Sequence, residues 1–184
     1  MIEDITKEFF NEVSRQFTFL DELGFTKSSA SIDNPCYFPD KEAIVKYVGS
    51  TIGIGIYWSY ASAVIGIYFF ELDDGKQPEK IYFGSEYPGA KKAIKLYSLA
   101  DYYNQINCEY FLLSYPNNVM LSKINERAKI IDKNLAGVIA GLIRAMNDLA
   151  SKIIKGDASI FDAIISYEVE RRPTPFTYKL PSNG

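Results

Sequence analysis

Residues 51–71 read TIGIGIYWSYASAVIGIYFFE, with no charged side chain from Thr51 to Phe70. Such a run fits a membrane span, a glycine-rich phosphate loop, or the centre of a soluble sheet. Its period decides between them. Ile52, Ile54, Ile56, Trp58 and Tyr60 alternate with Gly53, Gly55, Tyr57 and Ser59. That is the two-residue repeat of a pleated strand with one filled apolar face. A membrane helix has no reason to alternate in this way. After a weak interruption at Tyr60-Ala61-Ser62, a second apolar run extends from Ala63 to Leu72. It is rich in Val, Ile, Tyr and Phe, which favour strands. Asp73-Asp74-Gly75-Lys76 then closes it with strong turn chemistry. The phosphate-loop reading fails because the third glycine of GxGxxG is replaced by Trp58, and no helix pattern follows to face a pyrophosphate. Gly53 and Gly55 instead share one strand face, where they leave room for a bulky neighbour such as an aromatic ring.

Ala43 to Val48 (AIVKYV) reads as a strand before this hairpin, and Lys80 to Phe83 as one after it. Four strands with short connections imply an antiparallel meander. Upstream, Ile5, Phe9, Val13 and Phe17 recur every four residues, with Phe10 and Leu20 widening the stripe of an amphipathic helix. Asp4 suits its N-terminal dipole and Gly24 its end. Residues 26–40, with Ser, Asp, Asn and two prolines, read as a loop, and 84–96 begin as another. Ser98 is predicted to cap the helix SLADYYNQI, with Asp101 completing a variant capping box.

The C-terminal half reads as helical. Asn117 or Asn118 caps a helix bearing Leu121, Ile124, Ala128 and Ile131. A second stripe runs through Leu135, Val138, Ile139, Leu142, Met146, Leu149 and Ile153. Whether 119–155 is one helix or two stays open, with Asp132-Lys133-Asn134 the favoured break. Gly156 ends the stripe, and Asp157 caps a last helix through Ile160, Phe161, Ile164 and Ile165. Proline-rich residues 173–184 form an extended tail. The expected architecture is therefore α+β, a single domain over 1–184. An N-terminal helix precedes a four-stranded antiparallel sheet, and C-terminal helices pack on one sheet face.

The chain has 184 residues, a net charge of −3 and no histidine. The acidic balance disfavours nucleic acid as a partner. The opening MIEDITKEFF lacks the basic region of a secretory signal, so a cytoplasmic protein is expected, with no membrane partner. Cys36 and Cys108 read as ordinary thiols. Without histidine, Ser-His-Asp and Cys-His catalysis, HExxH and the Cys/His zinc patterns are all excluded. Glu71, Asp73, Asp74 and Glu79 offer oxygen ligands of the kind a hard cation takes, but without EF-hand spacing they read as a solvated hairpin tip. Pro39-Asp40 begins a nuclease-like pattern that no E-x-K triplet completes. No catalytic residue, metal site or cofactor is assigned, and the chain reads as leaning away from an enzyme.

What remains is surface. Tyr57, Trp58 and Tyr60 are the aromatic types that anchor protein interfaces, and with Glu71, Asp73 and Asp74 they form the predicted contact set. Asp101, Tyr102 and Tyr103 are similar candidates, and Glu170, Arg171 and Arg172 form a charged helix end able to grip an acidic partner. Ala136, Gly137, Ala140 and Gly141 permit close helix approach, within the chain or in a homodimer.

QFTFLDELGF (16–25) resembles the F-x-FL-x-x-x-GF opening of many short bacterial proteins. In those, V-x-Y and alternating strands follow, matched here by Val45-Lys46-Tyr47, Ile52 to Trp58 and Ile65 to Phe69. LYSLADYYN (96–104) and LASKIIKGDASIFD (149–162) are similar to the later segments of that pattern. The resemblance implies core roles for Phe17, Leu20, Gly24, Phe25 and Tyr47, and carries no catalytic motif. Some proteins of this type accompany secreted toxins as immunity proteins. The expected function is a non-enzymatic, cytosolic protein-binding protein, of the type that neutralises a toxin domain by occlusion. The alternatives are a small-ligand binder, or an enzyme using carboxylates and a metal.

Overall fold

The computed structural model of the chain describes residues 2–33, 42–59, 62–78, 81–83, 91–105 and 128–171. Tyr60, Glu79, both cysteines, Pro39-Asp40, the proposed caps Asn117 and Asn118, Arg172 and the tail 173–184 lie outside them. The fold is α+β, with an N-terminal helix and an antiparallel sheet.

The apolar repeat of the N-terminus forms α1 (Ile2–Gln16), followed by a single turn α2 (Phe19–Glu22). The chain leaves α2 through Gly24, at φ +81°. There the Gly24 N–H donates to Asp21 O (3.1 Å) and the Phe25 N–H to Leu20 O (2.9 Å), the pair of bonds that closes a Schellman turn. The strands are β1 (Thr26–Asp33), β2 (Glu42–Val48), β3 (Ile52–Ser59), β4 (Val64–Glu71), β5 (Ile81–Phe83) and β6 (Lys91–Lys95). Five of them run antiparallel in the order β1-β2-β3-β4-β6, and β5 pairs parallel to β6 at the far edge.

The expected meander of four strands is thus corrected in two places. Residues 26–33 are a strand, although polar throughout except for Ala30 and Ile32. An edge strand with one neighbour needs no filled apolar face, so nothing in its composition separates it from a loop. Lys91–Lys95 is also a strand, and it takes the place beside β4 that the segment at 80–83 was expected to fill.

The alternation in 52–71 sorts the side chains onto two faces. Ile54 lies opposite Phe69, Ile56 opposite Ile67, and Trp58 opposite Ile65. These residues belong to one buried cluster that also holds Ala43, Val45 and Tyr47 of β2 and Phe9, Val13 and Phe17 of α1. Phe9 meets Trp58 at a ring distance of 6.0 Å, and Phe17 meets Tyr47 at 6.2 Å. Gly53, Gly55, Tyr57 and Ser59 of β3 face the other way. Gly53 lies opposite Phe70, Gly55 opposite Tyr68, and Tyr57 opposite Gly66. A methyl added to any of these glycines would overlap the facing ring. The glycines therefore hold the rings of Tyr57, Tyr68 and Phe70 flat on the strands, in a second buried cluster with Ile44, Val64, Leu72 and Ala93. Every residue of β3 is buried, which is why the stretch carries no charge.

The helices after the sheet begin with α3 (Leu96–Tyr102). It starts before Ser98, so that serine is not its cap; its hydroxyl donates to Glu168 instead. Residues 128–133 are helical, and α4 (Leu135–Leu149) begins separately after Asn134. Asn134 Oδ1 accepts from the Gly137 N–H at 3.2 Å, so the break falls where Asp132-Lys133-Asn134 was expected. A single turn α5 (Ser151–Ile154) and α6 (Phe161–Arg171) complete the described chain. Gly156 turns the chain at φ +94°, while Asp157 accepts from Ser159 N (2.9 Å) ahead of α6 rather than capping it. Leu135, Val138, Ile139, Leu142 and Met146 of α4 and Phe161 and Ile164 of α6 share the first cluster with the sheet. Gln16 Nε2 donates to Ala136 O at 2.9 Å, tying α1 to the start of α4. Of the small residues of α4, Gly141 is buried, while Ala136 and Gly137 are exposed.

Candidate functional site

The predicted contact set separates into three environments. Trp58 is 5% exposed on the face that shares its cluster with α1, and Tyr57 is 7% exposed among the rings of the opposite face. Neither offers an open surface. Tyr60 lies outside the described residues. Glu71, Asp73 and Asp74 remain near the end of β4, with both aspartates exposed. Asp74 and Gly75 both take positive φ (50° and 74°), as a two-residue hairpin turn of the primed kind demands. Asp73 N–H donates to Lys76 O at 2.8 Å, and Lys76 N–H to Asp73 O at 3.0 Å.

The sheet brings two lysines of β6 to this tip. Lys91 Nζ lies 3.1 Å from Asp73 Oδ1, and the Lys92 N–H donates to Glu71 at 3.4 Å. Lys92 Nζ pairs with Asp162 of α6 at 2.6 Å, and that hydrogen bond holds the ammonium above its ordinary pKa. Asp73 is therefore paired with a lysine, Lys92 lies near Glu71, and the surface is mixed in sign. Among the described residues, no three acidic or cysteine side chains come together to hold a metal ion.

The more coherent surface lies where α3 meets α6. Tyr102 and Tyr103 at the end of α3 are 39% and 46% exposed. Tyr102 packs edge-on against Tyr103 and against Tyr167 of α6, with both ring distances at 5.4 Å. Arg171 stacks over the Tyr167 ring at 5.0 Å, donates to the Tyr167 hydroxyl, and lies 3.1 Å from Asp101 Oδ2. The Tyr167 hydroxyl in turn donates to the Asp101 carbonyl at 3.4 Å. The hydrogen bond to Tyr167, reinforced by Asp101, raises the Arg171 pKa. Tyr167 and Arg171 sit one turn apart on α6, so one helix face presents both. Val169 is exposed on the same helix. The result is two exposed rings, Tyr102 and Tyr103, held with the half-buried Tyr167 by contacts among themselves and by one ion pair.

Tyr103 also borders a cleft of about 470 Å³ between the end of α3 and the α4–α6 connection. Leu99, Leu149, Ile153 and Ile160 supply apolar lining, and Asp148, Lys152 and Asp157 supply charge. Hydrogen bonds from Ser159 hold Asp157 below its ordinary pKa.

Sequence reading marked Asp101, Tyr102, Tyr103 and Arg171 separately but missed Tyr167. The contacts joining them span 66 and 70 residues of chain, and no local pattern reports such a meeting. No protein-family model matches the chain, no curated protein matches it, and no solved structure matches it. No described helix is long and apolar enough to cross a membrane.

Proposed function

We propose that this chain is a binding protein that engages a protein partner through the aromatic surface of α3 and α6. The observation that supports this reading is the exposed pair Tyr102 and Tyr103, packed with the half-buried Tyr167 over which Arg171 is stacked. Tyrosine and arginine are the residue types that carry most binding energy when a partner buries them. Rings already fixed by edge-on packing lose little rotamer freedom on binding. An immunity-type role, occluding a toxin domain, is the specific form of this function that the sequence resemblance implies. It requires a complementary surface and no chemistry.

The test is co-expression with any secreted toxin domain found encoded beside the gene, together with affinity measurement on the purified pair. The wild-type chain rescues growth, and Tyr102→Ala with Tyr103→Ala weakens binding by roughly 30-fold or more, the scale of one interface hot spot. Failure of the wild type to rescue or bind sinks the immunity reading for that pair. Unchanged affinity in the double variant moves the interface elsewhere, and Asp73→Lys with Asp74→Lys then tests the hairpin tip.

A second reading rests on the cleft beside Tyr103, whose mixed apolar and charged lining suits a small ligand. Ile153→Trp would fill it. A ligand identified by thermal-shift screening that still binds this variant would rule the cleft out.

A further inference from the structure

The sheet has two edges, and they differ. On one side β5 is three residues long. On the other β1 runs for eight residues and pairs with β2 alone. Among the described residues, nothing pairs with the outer edge of β1. An open edge is a template for another strand, and proteins blunt such edges with lysine, proline, bulges or a covering element. Here the blunting is confined to the first half. A bulge falls between Lys27 and Ser29, and the Lys27 ammonium turns back to Ser14 Oγ at 2.7 Å. From Ser29 to Ile32 the strand has no lysine, proline or bulge. Ala30 and Ile32 are exposed on this edge, Ile32 by 53%.

The side chains of this stretch are self-complementary. Ala30 pairs with Val45 and Ile32 with Ala43, so both lie on the sheet face that carries the large buried cluster. Ser29 and Ser31 pair with Lys46 and Ile44 on the other face. The order is polar, apolar, polar, apolar. An antiparallel two-fold axis through Ser31 would set Ile32 of one copy opposite Ala30 of the next, twice, and Ser31 opposite itself. Both apolar residues then leave water, and each copy extends the apolar face of the other across the joint. A one-residue slip would set Ile32 opposite a serine on the wrong face, so the pleat excludes it, and the Ile32–Ala30 pairs favour the axis at Ser31.

We propose that β1 is a self-association edge, and that two copies of this chain pair β1 to β1, antiparallel and centred on Ser31, into one continuous sheet. The surface is separate from the aromatic group on α3 and α6, so the two proposals stand or fall independently.

The experiment is a concentration series of the full chain by sedimentation equilibrium, with a matched cysteine pair. The wild type shows a monomer–dimer equilibrium. Ile32→Lys places the usual edge-blunting residue at the joint and raises the dissociation constant about tenfold or more. Ile32 is exposed in the monomer, so circular dichroism of this variant matches the wild type. In a Cys36→Ser, Cys108→Ser background, Ser31→Cys places two thiols across the axis, at the separation a disulfide spans, and oxidation yields a covalent dimer. Thr26→Cys, far from the axis, does not cross-link. A monomer mass at every concentration overturns the inference. So does a dimer that Ile32→Lys leaves intact, or equal cross-linking by the two cysteine variants.

Discussion

The two faces of the β3–β4 hairpin are built on opposite plans from the same stretch of sequence. One face is filled by branched and aromatic side chains standing off the strands, Ile54, Ile56, Ile67 and Phe69, which share their cluster with the helices. The other is filled by rings lying down across glycines, with Tyr68 over Gly55 and Phe70 over Gly53. Tyr68 lies 6.1 Å from Tyr57 and 5.8 Å from Phe70, so the three rings form a row. On the first face volume comes from every residue. On the second it comes from every other residue, and the glycine between is as necessary as the ring. A strand interior ordinarily loses stability by holding glycine. Here the lost side chain is replaced by the ring from the neighbouring strand.

This difference predicts opposite responses to substitution. The largest effect belongs to the filled face. Phe69→Ala removes a fully buried ring opposite Ile54 and beside Ile94, and leaves a cavity. It should cost about 3–5 kcal/mol, read as a lower denaturation midpoint at constant m-value. On the glycine face, adding volume does the damage. Gly55→Ala pushes a methyl into the Tyr68 ring and should cost about 1–3 kcal/mol. The sharper test is the cycle. In a Tyr68→Ala background the same Gly55→Ala change should be neutral or slightly stabilising, because the ring is gone and alanine suits a strand better than glycine. Equal costs in both backgrounds would break the distinction between the faces.

The period of 52–71 disclosed this hairpin because both strands are central, and each side chain's environment is set by its neighbours two residues away. The ring-over-glycine contacts followed from the same alternation. The outer strands gave no such signal. The β6 segment KKAIK holds only two apolar residues, Ala93 and Ile94, and its strand character comes from pairing with β4. The strand β1 draws its character from β2 in the same way. The break at Asn134 was readable because capping is local chemistry, whereas Ser98, equally suited to capping, is drawn into the α3–α6 contact by Glu168. The burial of Tyr57 and Trp58 could not be read from the hairpin alone, since it depends on what lies over each face. The aromatic surface of α3 and α6 was half visible as exposed tyrosines on a short helix; Tyr167 joins them only through the fold.

Tyr47 tests the filled face at its rim. Burial, with a smaller contribution from Asp21, pushes its phenol up to about 12. An acid whose folded pKa is raised keeps its proton longer in the native state. Its contribution is intact below the unfolded value near 10 and is lost as pH rises toward about 12. The full loss is at most about 3 kcal/mol. Stability should therefore fall between these pH values in the wild type and fall less in Tyr47→Phe, with lysine titration common to both. Parallel pH profiles would mean that the Tyr47 hydroxyl is solvated. Next in size is the cap of α4, the helix that contributes Leu142 and Met146 to this same cluster. Asn134→Ala removes the acceptor of the Gly137 N–H and should cost about 1 kcal/mol by thermal unfolding.

The smallest effect lies at the tip, where β4 runs past both clusters. Lys91 and Asp73 form an ion pair at 3.1 Å, with both side chains open to water. The Coulomb attraction there is weak, salt screens it, and holding two mobile side chains offsets part of the gain. The turn does not depend on the pair, because its bonds between Asp73 and Lys76 are backbone to backbone. Asp73→Ala should therefore shift stability by no more than about 0.5 kcal/mol, with less effect in high salt. A loss of several kcal/mol would make the tip part of the folded core. The contrast would then lie between the whole hairpin and its surroundings, rather than between its two faces.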